Sequence, residues 1–309
     1  MNVEITPGGG IEKVTMKKKF ASGYSDHREG KTRAREMWRV FLNPGDASYY
    51  LGVEWSLVTY WSSVITPFFY LGGLYTKLIL AREKASLVEE TSVVIPTTSL
   101  LGRKFQFCIR AMSHSEMPEE ILVFQVNKDF SYSEAVNKGI RSSKEKYVIV
   151  LNDDCFVKGK WLSALVQLAE CNPRVGIVGS KLLHVNGKVT STEAYITPDG
   201  DTIEEVDNPE VPHIVKGYLG CSILIKRELI DQIGGFDEVF SPYLYEDTDF
   251  CYRARLNGWL VYYCPKSEVY HIHSASLRRI NREHLRGIKE KNMRIFLQRW
   301  KANMEAGRV

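Results

Sequence analysis

The stretch YVIVLNDD, residues 147–154, indicates the fold of this chain more strongly than any other. Residues 147–151 are all apolar, which is typical of a strand buried on both faces of a parallel α/β sheet. Ligands of such sheets gather at the carboxyl ends of the strands, where Asn152, Asp153 and Asp154 follow. Neighbouring carboxylates suit a hard divalent cation such as Mg²⁺ or Mn²⁺, which also binds phosphates. The alternative is a simple turn, since Asn and Asp are common turn residues.

A second acidic group lies further along the chain. Glu246, Asp247 and Asp249 begin a stretch that the sequence predicts to be helical. Acidic residues at a helix start interact favourably with the helix dipole, so a purely structural role is the alternative. Beyond the next predicted strand, His271 and His273 alternate and would project to one side of an extended segment. A histidine there is a candidate metal ligand or proton carrier.

Short motifs in order across residues 92–276 resemble those of the family 2 glycosyltransferases of the GT-A fold, particularly the rhamnosyltransferase-like members. The first strand ends in a Pro-Thr step, residues 135–140 resemble an A-x-N-x-G-I helix, and residues 151–154 resemble a variant DXD motif. The remaining matches are segments 161–162, 176–179, 181–183, 220–227, 234–238, 246–253, 258–259 and 269–276. The resemblance implies an α/β nucleotide-diphospho-sugar transferase fold whose mostly parallel central sheet is flanked by helices.

The resemblance also implies an activity, namely the inverting transfer of a sugar from a nucleotide diphosphate sugar to an acceptor hydroxyl in polysaccharide or glycolipid synthesis. Asp247 would be the general base opposite the leaving group, oriented by Glu246. Asp154 would hold Mg²⁺ or Mn²⁺ against the diphosphate, with His271, or alternatively His273, as a further contact. The implied donor-binding residues are Pro96, Thr97, Asn127, Asn137, Asp153 and Gly220.

The chain departs from the family pattern at three places. Asn152 stands where many relatives have Asp, which predicts a less negative site and weaker cation affinity. The second strand runs into residues 125–127 without the usual aspartate that reads the nucleobase, so the base is left open. Residues 98–100 replace the usual Tyr-Asn after the first strand. These departures predict a compact donor pocket, or one with a non-standard choice of nucleotide.

Two other classes of protein compete with a glycosyltransferase. A sugar nucleotidyltransferase would share the sheet and the paired aspartates, but residues 100–103 lack its Gly-rich, basic phosphate loop. A catalytically silent glycan-binding or scaffold protein would explain Asn152, yet it would not need Asp154, Glu246 and Asp247 together. We expect no nucleic acid partner, which is a poorer fit because the aromatic residues of the basic C-terminal segment fall on its apolar side and no recognised nucleic-acid-binding element accompanies them.

The sequence predicts three regions: an N-terminal extension over 1–88, a GT-A catalytic domain over 89–276 and a basic C-terminal helix over 277–309. The extension combines a basic arm with the uncharged, aromatic stretch 55–76. That stretch is compatible with peripheral membrane contact, with soluble packing or homo-oligomer formation, or with a membrane span. The basic residues of the C-terminal helix either form a solvated face or attract anionic lipid head groups or a lipid diphosphate acceptor.

Composition is compatible with a cytoplasmic enzyme, including one at the cytoplasmic face of the membrane. The chain has 309 residues, 44% of them hydrophobic, which allows a substantial core in one or two domains. Its six cysteines form no C-x-x-C pair and mostly lie in apolar runs, so we expect reduced, buried thiols. No secretory signal is visible near residue 1, where the basic stretch has no apolar run behind it.

Overall fold

The computed structural model describes residues 2–6, 13–17, 86–127, 131–272 and 281–308. The aromatic stretch 55–76 and His273 lie outside the described residues, and so do the predictions that rest on them. In the described part no helix is both long enough and apolar enough to cross a membrane.

Strands and helices alternate through the first part of the described chain. These elements are β1 (Asn2–Thr6), β2 (Lys13–Lys17), β3 (Ser86–Thr97), α1 (Arg103–Ser113), β4 (Glu116–Gln125), α2 (Tyr132–Ser142), β5 (Tyr147–Leu151), β6 (Cys155–Val157), α3 (Trp161–Glu170) and β7 (Val175–Leu183). The second part begins with short strands and ends with a long helix. Its elements are β8 (Val189–Ser191), β9 (Glu193–Ile196), β10 (Thr202–Glu205), β11 (His213–Ile214), β12 (Ser222–Lys226), α4 (Arg227–Ile233), a 3₁₀ turn (Glu238–Phe240), α5 (Glu246–Leu256), β13 (Leu260–His271) and α6 (Arg282–Glu305).

The central sheet confirms the predicted α/β class. Its strand order is β1-β2-β4-β3-β5-β12-β7-β13-β11, with β6 paired to β13 and β8 paired to β7. Strands β4, β3, β5, β7 and β13 run in one direction, whereas β12 runs antiparallel between β5 and β7. The sheet is therefore mostly parallel at its centre, as predicted, with one reversed strand.

Burial on both faces explains the continuous apolar run of β5. Residues Ile149 and Leu151 pack into one hydrophobic cluster, which includes side chains of α1 and α3. Val148 and Val150 pack into a second cluster with side chains of α2, α4 and α5. Because successive side chains of a strand point to opposite faces, an apolar residue is needed at every position. Helices therefore cover both faces of the sheet.

Strand β13 is longer than the sequence predicts. The sequence predicts a strand over 260–263 and, beyond Pro265, a separate short run over 269–273. The structure instead has one strand from Leu260 to His271, with a register shift between Cys264 and Glu268. A bulge of this kind tolerates proline inside a strand, because no ladder hydrogen bond is lost there. The continuous strand carries His271 to the edge of the sheet where β5 ends.

The cysteines are free, as predicted, but not all of them are buried. Cys108, Cys155, Cys251 and Cys264 are buried, Cys221 is half-buried, and Cys171 is exposed. Cys171 is the C-cap residue of α3, where the chain turns at the surface, and this explains its exposure.

Helix α6 packs an apolar stripe on the rest of the molecule. Phe296 and Trp300 are buried against Phe240, Tyr245 and Tyr252. Many of its basic residues have protein partners: Lys291 donates to the carbonyl of Ser241, Arg286 pairs with Glu290, Lys289 lies 3.9 Å from Asp201, and Arg299 pairs with Asp237 and Asp249. Many of the basic side chains of α6 therefore interact with carbonyl or carboxylate groups of the same protein.

Candidate active site

The loop after β5 places Asn152, Asp153 and Asp154 at the carboxyl edge of the sheet. The backbone N–H of Asn152 donates to the carbonyl of Cys221 at 2.8 Å, and the N–H of Cys155 donates back to the carbonyl of Asn152 at 3.1 Å. The first bond ties the loop to residues 220–221, which lead into β12. The loop is therefore a tight turn, as the alternative interpretation held. The carboxylates of Asp153 and Asp154 do not form the hydrogen bonds of this turn.

Asp153 is joined to the end of β3. The Thr97 hydroxyl donates to Oδ2 of Asp153 at 2.7 Å, and Nζ of Lys104 lies 3.5 Å from Oδ1. Burial raises the pKa of Asp153, and these two contacts only partly offset that effect. Pro96 is buried immediately before Thr97. Three of the predicted donor-binding residues, Pro96, Thr97 and Asp153, thus lie together.

Asp154 meets His271 across the end of β13. Oδ1 of Asp154 lies 3.4 Å from Nε2 of His271, and the backbone N–H of Ile272 donates to the carbonyl of Asp154 at 3.1 Å. Burial lowers the pKa of His271, but its contacts with Cys221 and Asp154 outweigh that effect and raise the pKa well above the usual value. The imidazole is therefore held beside the carboxylate.

Cys155 joins Asp154 and His271 in a group that has the donor atoms of a metal site. One ligand atom from each of the three buried residues lies within 4.8 Å of the others. Cys155 and His271 are cross-strand partners of β6 and β13, so their side chains share one face. The carboxylate suits Mg²⁺ or Mn²⁺ and the imidazole is a ligand of divalent transition metals, so these residues fit a divalent cation. The sequence places Cys155 directly after Asp154, but a thiol in an apolar strand gave no signal of this proximity.

Glu246 and Asp247, the acidic pair, lie at the start of α5. The Glu246 side chain is buried and that of Asp247 is half-buried, and burial raises the pKa of Asp247 to about 6, against the opposing hydrogen bonds from Thr248. Oδ1 of Asp247 accepts from the backbone N–H of Thr248 at 2.8 Å, which fixes the carboxylate in the first helical turn. Burial and the charge of Asp247 raise the pKa of Glu246 well above its usual value. An acid with a pKa near neutrality is suited to proton transfer.

Gly220 lies directly against the acidic pair. A Cβ atom built at Gly220 would be 2.4 Å from Oδ2 of Asp247, well inside van der Waals contact. The next residue, Cys221, has a left-handed φ of 64° and accepts the hydrogen bond from Asn152. Residues 220–221 therefore connect the Asp154 loop to the acidic pair. The absence of a side chain at position 220 is a steric requirement of Asp247.

Tyr132 lies between the two acidic groups, although the sequence gave no indication of a role. Its hydroxyl donates to Oδ1 of Asn152 at 3.0 Å. Burial raises the pKa of Tyr132 well above its usual value, and the nearby charges of Glu246 and Asp247 raise it further. One phenol thus contacts the loop after β5 and lies in the electrostatic field of the acidic pair. The two acidic groups share one site.

Two predicted donor-binding residues lie apart from this group. The Asn137 amide donates to the carbonyl of Phe236 and to Glu238, both at 2.8 Å, and accepts from the N–H of Phe236. It therefore secures the loop before the 3₁₀ turn. Asn127 is exposed beyond β4, and the neighbouring N–H of Val126 donates to the carbonyl of Thr97. Asn127 is thus near the Thr97 end of the site, at the surface.

We expect Gly220→Ala to lower any turnover at this site by about 100-fold, because the new methyl group must displace the Asp247 carboxylate. Over-packing of this kind also costs about 1–3 kcal/mol of stability. Steady-state kinetics and thermal unfolding of the variant test both effects. Gly287→Ala on α6 is the matched control, because a Cβ atom there meets no other atom within 4 Å. Unchanged turnover in Gly220→Ala would contradict the steric argument.

We expect Glu246→Gln to stabilise the fold at neutral and alkaline pH while it lowers activity. A raised pKa means that folded Glu246 binds its proton more tightly than the unfolded chain does, so stability falls as the pH rises above 4.5, the ordinary pKa. Among the described residues Oε2 of Glu246 has no hydrogen-bond partner, which costs about 1–3 kcal/mol. The amide removes the charge, and each kcal/mol gained raises Tm by about 2–4 °C.

Thermal unfolding of Glu246→Gln at pH 5 and pH 8 tests this expectation. The gain in Tm should be larger at pH 8. The exposed Glu228→Gln on α4 is the control and should change Tm equally at both pH values. A gain that is independent of pH would show that the Glu246 charge is not the cause.

Comparison with known proteins supports the resemblance found in the sequence. The family model described as "Glycosyltransferase like family 2" matches residues 111–289. The N-acetylglucosaminyl-diphospho-decaprenol L-rhamnosyltransferase of Mycobacterium tuberculosis is 28% identical over 198 residues, which cover 55% of this chain and 64% of that protein. The low-salt glycan biosynthesis hexosyltransferase of Haloferax volcanii is 27% identical over 151 residues, which cover 45% of this chain and 48% of that protein. This chain thus spans less than two thirds of either relative.

A solved structure supports the fold. GalNAc-T7 with UDP, GalNAc and Mn²⁺ aligns with a TM-score of 0.50 and 14% identity, covering 59% of this chain and 42% of that one. The likeness confirms the predicted GT-A fold. The family match covers more than half of the 309 residues. The chain therefore belongs to family 2 of the glycosyltransferases.

Proposed function

We propose that this chain transfers a sugar from a nucleotide diphosphate sugar to an acceptor hydroxyl, with inversion at the anomeric carbon, in the synthesis of a glycan. One observation carries the proposal. The Asp154–His271 group and the acidic pair, which have different chemical properties, meet at residues 220–221 with Tyr132 between them. The first suits a cation and a diphosphate, and the second suits the removal of a proton.

Asp154 and His271 would hold a divalent cation, Mg²⁺ or Mn²⁺, on the donor side of the site. A cation bound there would offset the negative charge that develops on the departing diphosphate. Asp153 would contact the ribose or support the cation site, with its carboxylate fixed by the Thr97 hydroxyl. Support comes from the donor atoms themselves and from GalNAc-T7, whose solved structure contains UDP and Mn²⁺.

Asp247 would accept the proton of the attacking hydroxyl. Its hydrogen bond from the N–H of Thr248 leaves Oδ2 as the oxygen that faces Gly220, where a side chain would otherwise exclude a substrate. Inversion requires attack from the face opposite the leaving group, which is consistent with a base on a different element from the cation group. Glu246, which is buried next to Asp247 in the first turn of α5, would orient it.

The segment between β7 and β12 would select the acceptor. Within this segment β9 and β10 form an antiparallel two-stranded sheet. Ala194 of β9 exchanges two backbone hydrogen bonds with Tyr218, two residues before Gly220. This pair is therefore anchored beside the acidic pair, where an acceptor must approach. Loop segments of this kind, held on a rigid scaffold, are common sites of binding specificity.

The proposal is tested by incubating the protein with a panel of nucleotide diphosphate sugars in the presence of Mg²⁺ or Mn²⁺. We expect release of nucleoside diphosphate from at least one donor, dependence on the cation, and inversion of the anomeric configuration when an acceptor is added. Binding of donors without release from any of them would instead favour a silent glycan-binding protein. Retention of configuration would refute the role of Asp247.

We expect the turnover number to rise with pH through about 6 and then to level off. Burial raises the pKa of Asp247 to about 6, and only the deprotonated carboxylate can accept a proton. Well below that pH the deprotonated fraction falls about tenfold per pH unit, and activity should fall accordingly. Measuring turnover from pH 4.5 to pH 8.5 under saturating donor tests this expectation. A profile that is flat across pH 5–7 would contradict the assignment.

A further inference from the structure

Helix α6 contacts the chain on both sides of the acidic pair. The residues that make these contacts, from Lys291 onwards, lie beyond the family match, which ends at residue 289. One set of contacts reaches the loop over 240–245, immediately before Glu246. The other reaches Asp249, within the first turns of α5. Contacts with α6 therefore fix the position and direction of the start of α5.

Asn292 holds the loop before the acidic pair. The side chain is completely buried, and Nδ2 lies 2.6, 2.9 and 3.1 Å from the carbonyl oxygens of Phe240, Tyr243 and Leu244. All three neighbouring groups are hydrogen-bond acceptors, so the Asn292 amide must direct its nitrogen towards them. Its two N–H groups are shared among the three carbonyl oxygens. A loop without regular structure thereby receives hydrogen bonds that its own backbone does not supply.

The backbone that follows these carbonyls is strained. Leu244 and Tyr245 have φ values of 78° and 75°, in the left-handed region that residues with a side chain rarely adopt. Such a conformation persists only where surrounding contacts impose it. Tyr245 packs on the Phe296 ring of α6 at 5.4 Å, and its hydroxyl donates to the carbonyl of Gly200. These two residues set the direction in which the chain enters Glu246.

Asp249 holds α5 to α6 on the other side of the acidic pair. Its carboxylate is completely buried, and Oδ1 accepts from Nη1 of Arg299 at 2.7 Å and from Nε1 of Trp300 at 2.9 Å. Oδ2 accepts from Nε of Arg253 at 2.7 Å. All three donors hydrogen-bond to the buried Asp249 carboxylate, and two of them, Arg299 and Trp300, belong to α6. Asp249 lies two residues after Asp247, so a shift of one moves the other.

We propose that Asn292, together with Arg299 and Trp300, positions the general base: by fixing residues 240–249 from both sides, α6 aims the Asp247 carboxylate at the acceptor hydroxyl. The inference rests on the proposed function, since it assigns a purpose to the geometry of that site. Asn292 touches neither substrate nor reacting atoms and is a positioning residue, not a catalytic one. The contacts from α6 hold the backbone before Glu246 in a strained conformation that the start of α5 alone would not maintain.

The test uses Asn292→Asp, which keeps the shape of the side chain but removes both N–H donors and faces three carbonyls with an acceptor. We expect kcat to fall about 100-fold while the KM for the donor changes little, because only the base is misplaced. Trp300→Phe, which loses the bond to Asp249 and part of the buried ring but keeps the Asn292 contacts, should lower kcat by a smaller factor. Asn303→Ala, on the same helix and half-buried, is the matched control and should keep wild-type kinetics.

Hydrogen exchange provides a readout that does not depend on activity. In Asn292→Asp the amides of residues 244–250 should exchange faster, whereas those of β5 and α3 should keep wild-type rates. Unchanged kcat, or exchange that rises equally throughout the protein, would overturn the inference. A wild-type protein that transfers no sugar would refute the proposed function, yet faster exchange confined to residues 244–250 would still support positioning by α6.

Discussion

Replacing Asp247 with Asn is expected to abolish sugar transfer while donor binding survives. Asparagine keeps the size of the side chain, and its carbonyl oxygen can still accept from the N–H of Thr248, but the amide cannot take up a proton. Loss of a general base lowers turnover by about 10²–10⁴-fold. The variant should also lose the pH dependence near 6 that we attribute to Asp247. Turnover with saturating donor and calorimetric titration with the donor measure the two effects separately.

The control for this substitution is Asp231→Asn, at an exposed aspartate on α4. It makes the same chemical change away from the site and should leave turnover unaltered. If Asp247→Asn transfers sugar at the wild-type rate, the base must be another group and the proposed mechanism is wrong. If it also loses donor binding, Asp247 acts on the donor side instead.

Replacing Asp154 with Asn is expected to remove the dependence of donor binding on the cation. The carboxylate contributes the charged oxygen of the group that it forms with Cys155 and His271. Losing a supporting residue of a metal site costs about 10–100-fold in affinity, and a direct ligand should cost at least as much. We therefore expect the affinity for UDP or GDP in the presence of Mn²⁺ to fall to the value measured with EDTA. Transfer should become undetectable.

Calorimetric titration of the nucleoside diphosphate, with and without Mn²⁺, measures this effect for wild type and variant. Asp231→Asn again serves as the control and should retain the full effect of the cation. A variant that still binds the diphosphate more tightly with Mn²⁺ than without it would show that Asp154 is not a ligand. Equal wild-type affinities in Mn²⁺ and EDTA would show that the site works without a metal.

Much of the site could be predicted because its residues follow directly on strongly patterned elements. The apolar run of β5 specifies a buried strand, and the residues after such a strand must lie at the ligand-binding edge. Asp153 and Asp154 are therefore located by local sequence alone. The acidic pair is similarly located by the helix that it begins. In both cases short-range physical chemistry determines the position.

Contacts between distant parts of the chain could not be predicted in this way. Tyr132 lies 20 positions from Asn152, and the Asn137 amide bonds to Phe236 at a separation of 99 positions. Neither contact leaves a periodic pattern in the sequence. The role of Gly220 depends on where the carboxylate of Asp247 points, which only the packing of α5 decides. The roles of such residues depend on how distant segments pack against one another, and a single sequence does not reveal that packing.

The reversed direction of β12 has a consequence for how such enzymes diversify. Strand β7 ends at the carboxyl edge of the sheet, and β12, because it runs antiparallel, begins at that same edge. Residues 184–221 therefore begin and end at the same edge of the sheet, and within them β9 and β10 form a separate two-stranded sheet. An interchange of the β9–β10 pair alone between homologues would leave the strands of the central sheet and the cation group in place. Grafted chimeras should keep their donor and acquire a new acceptor.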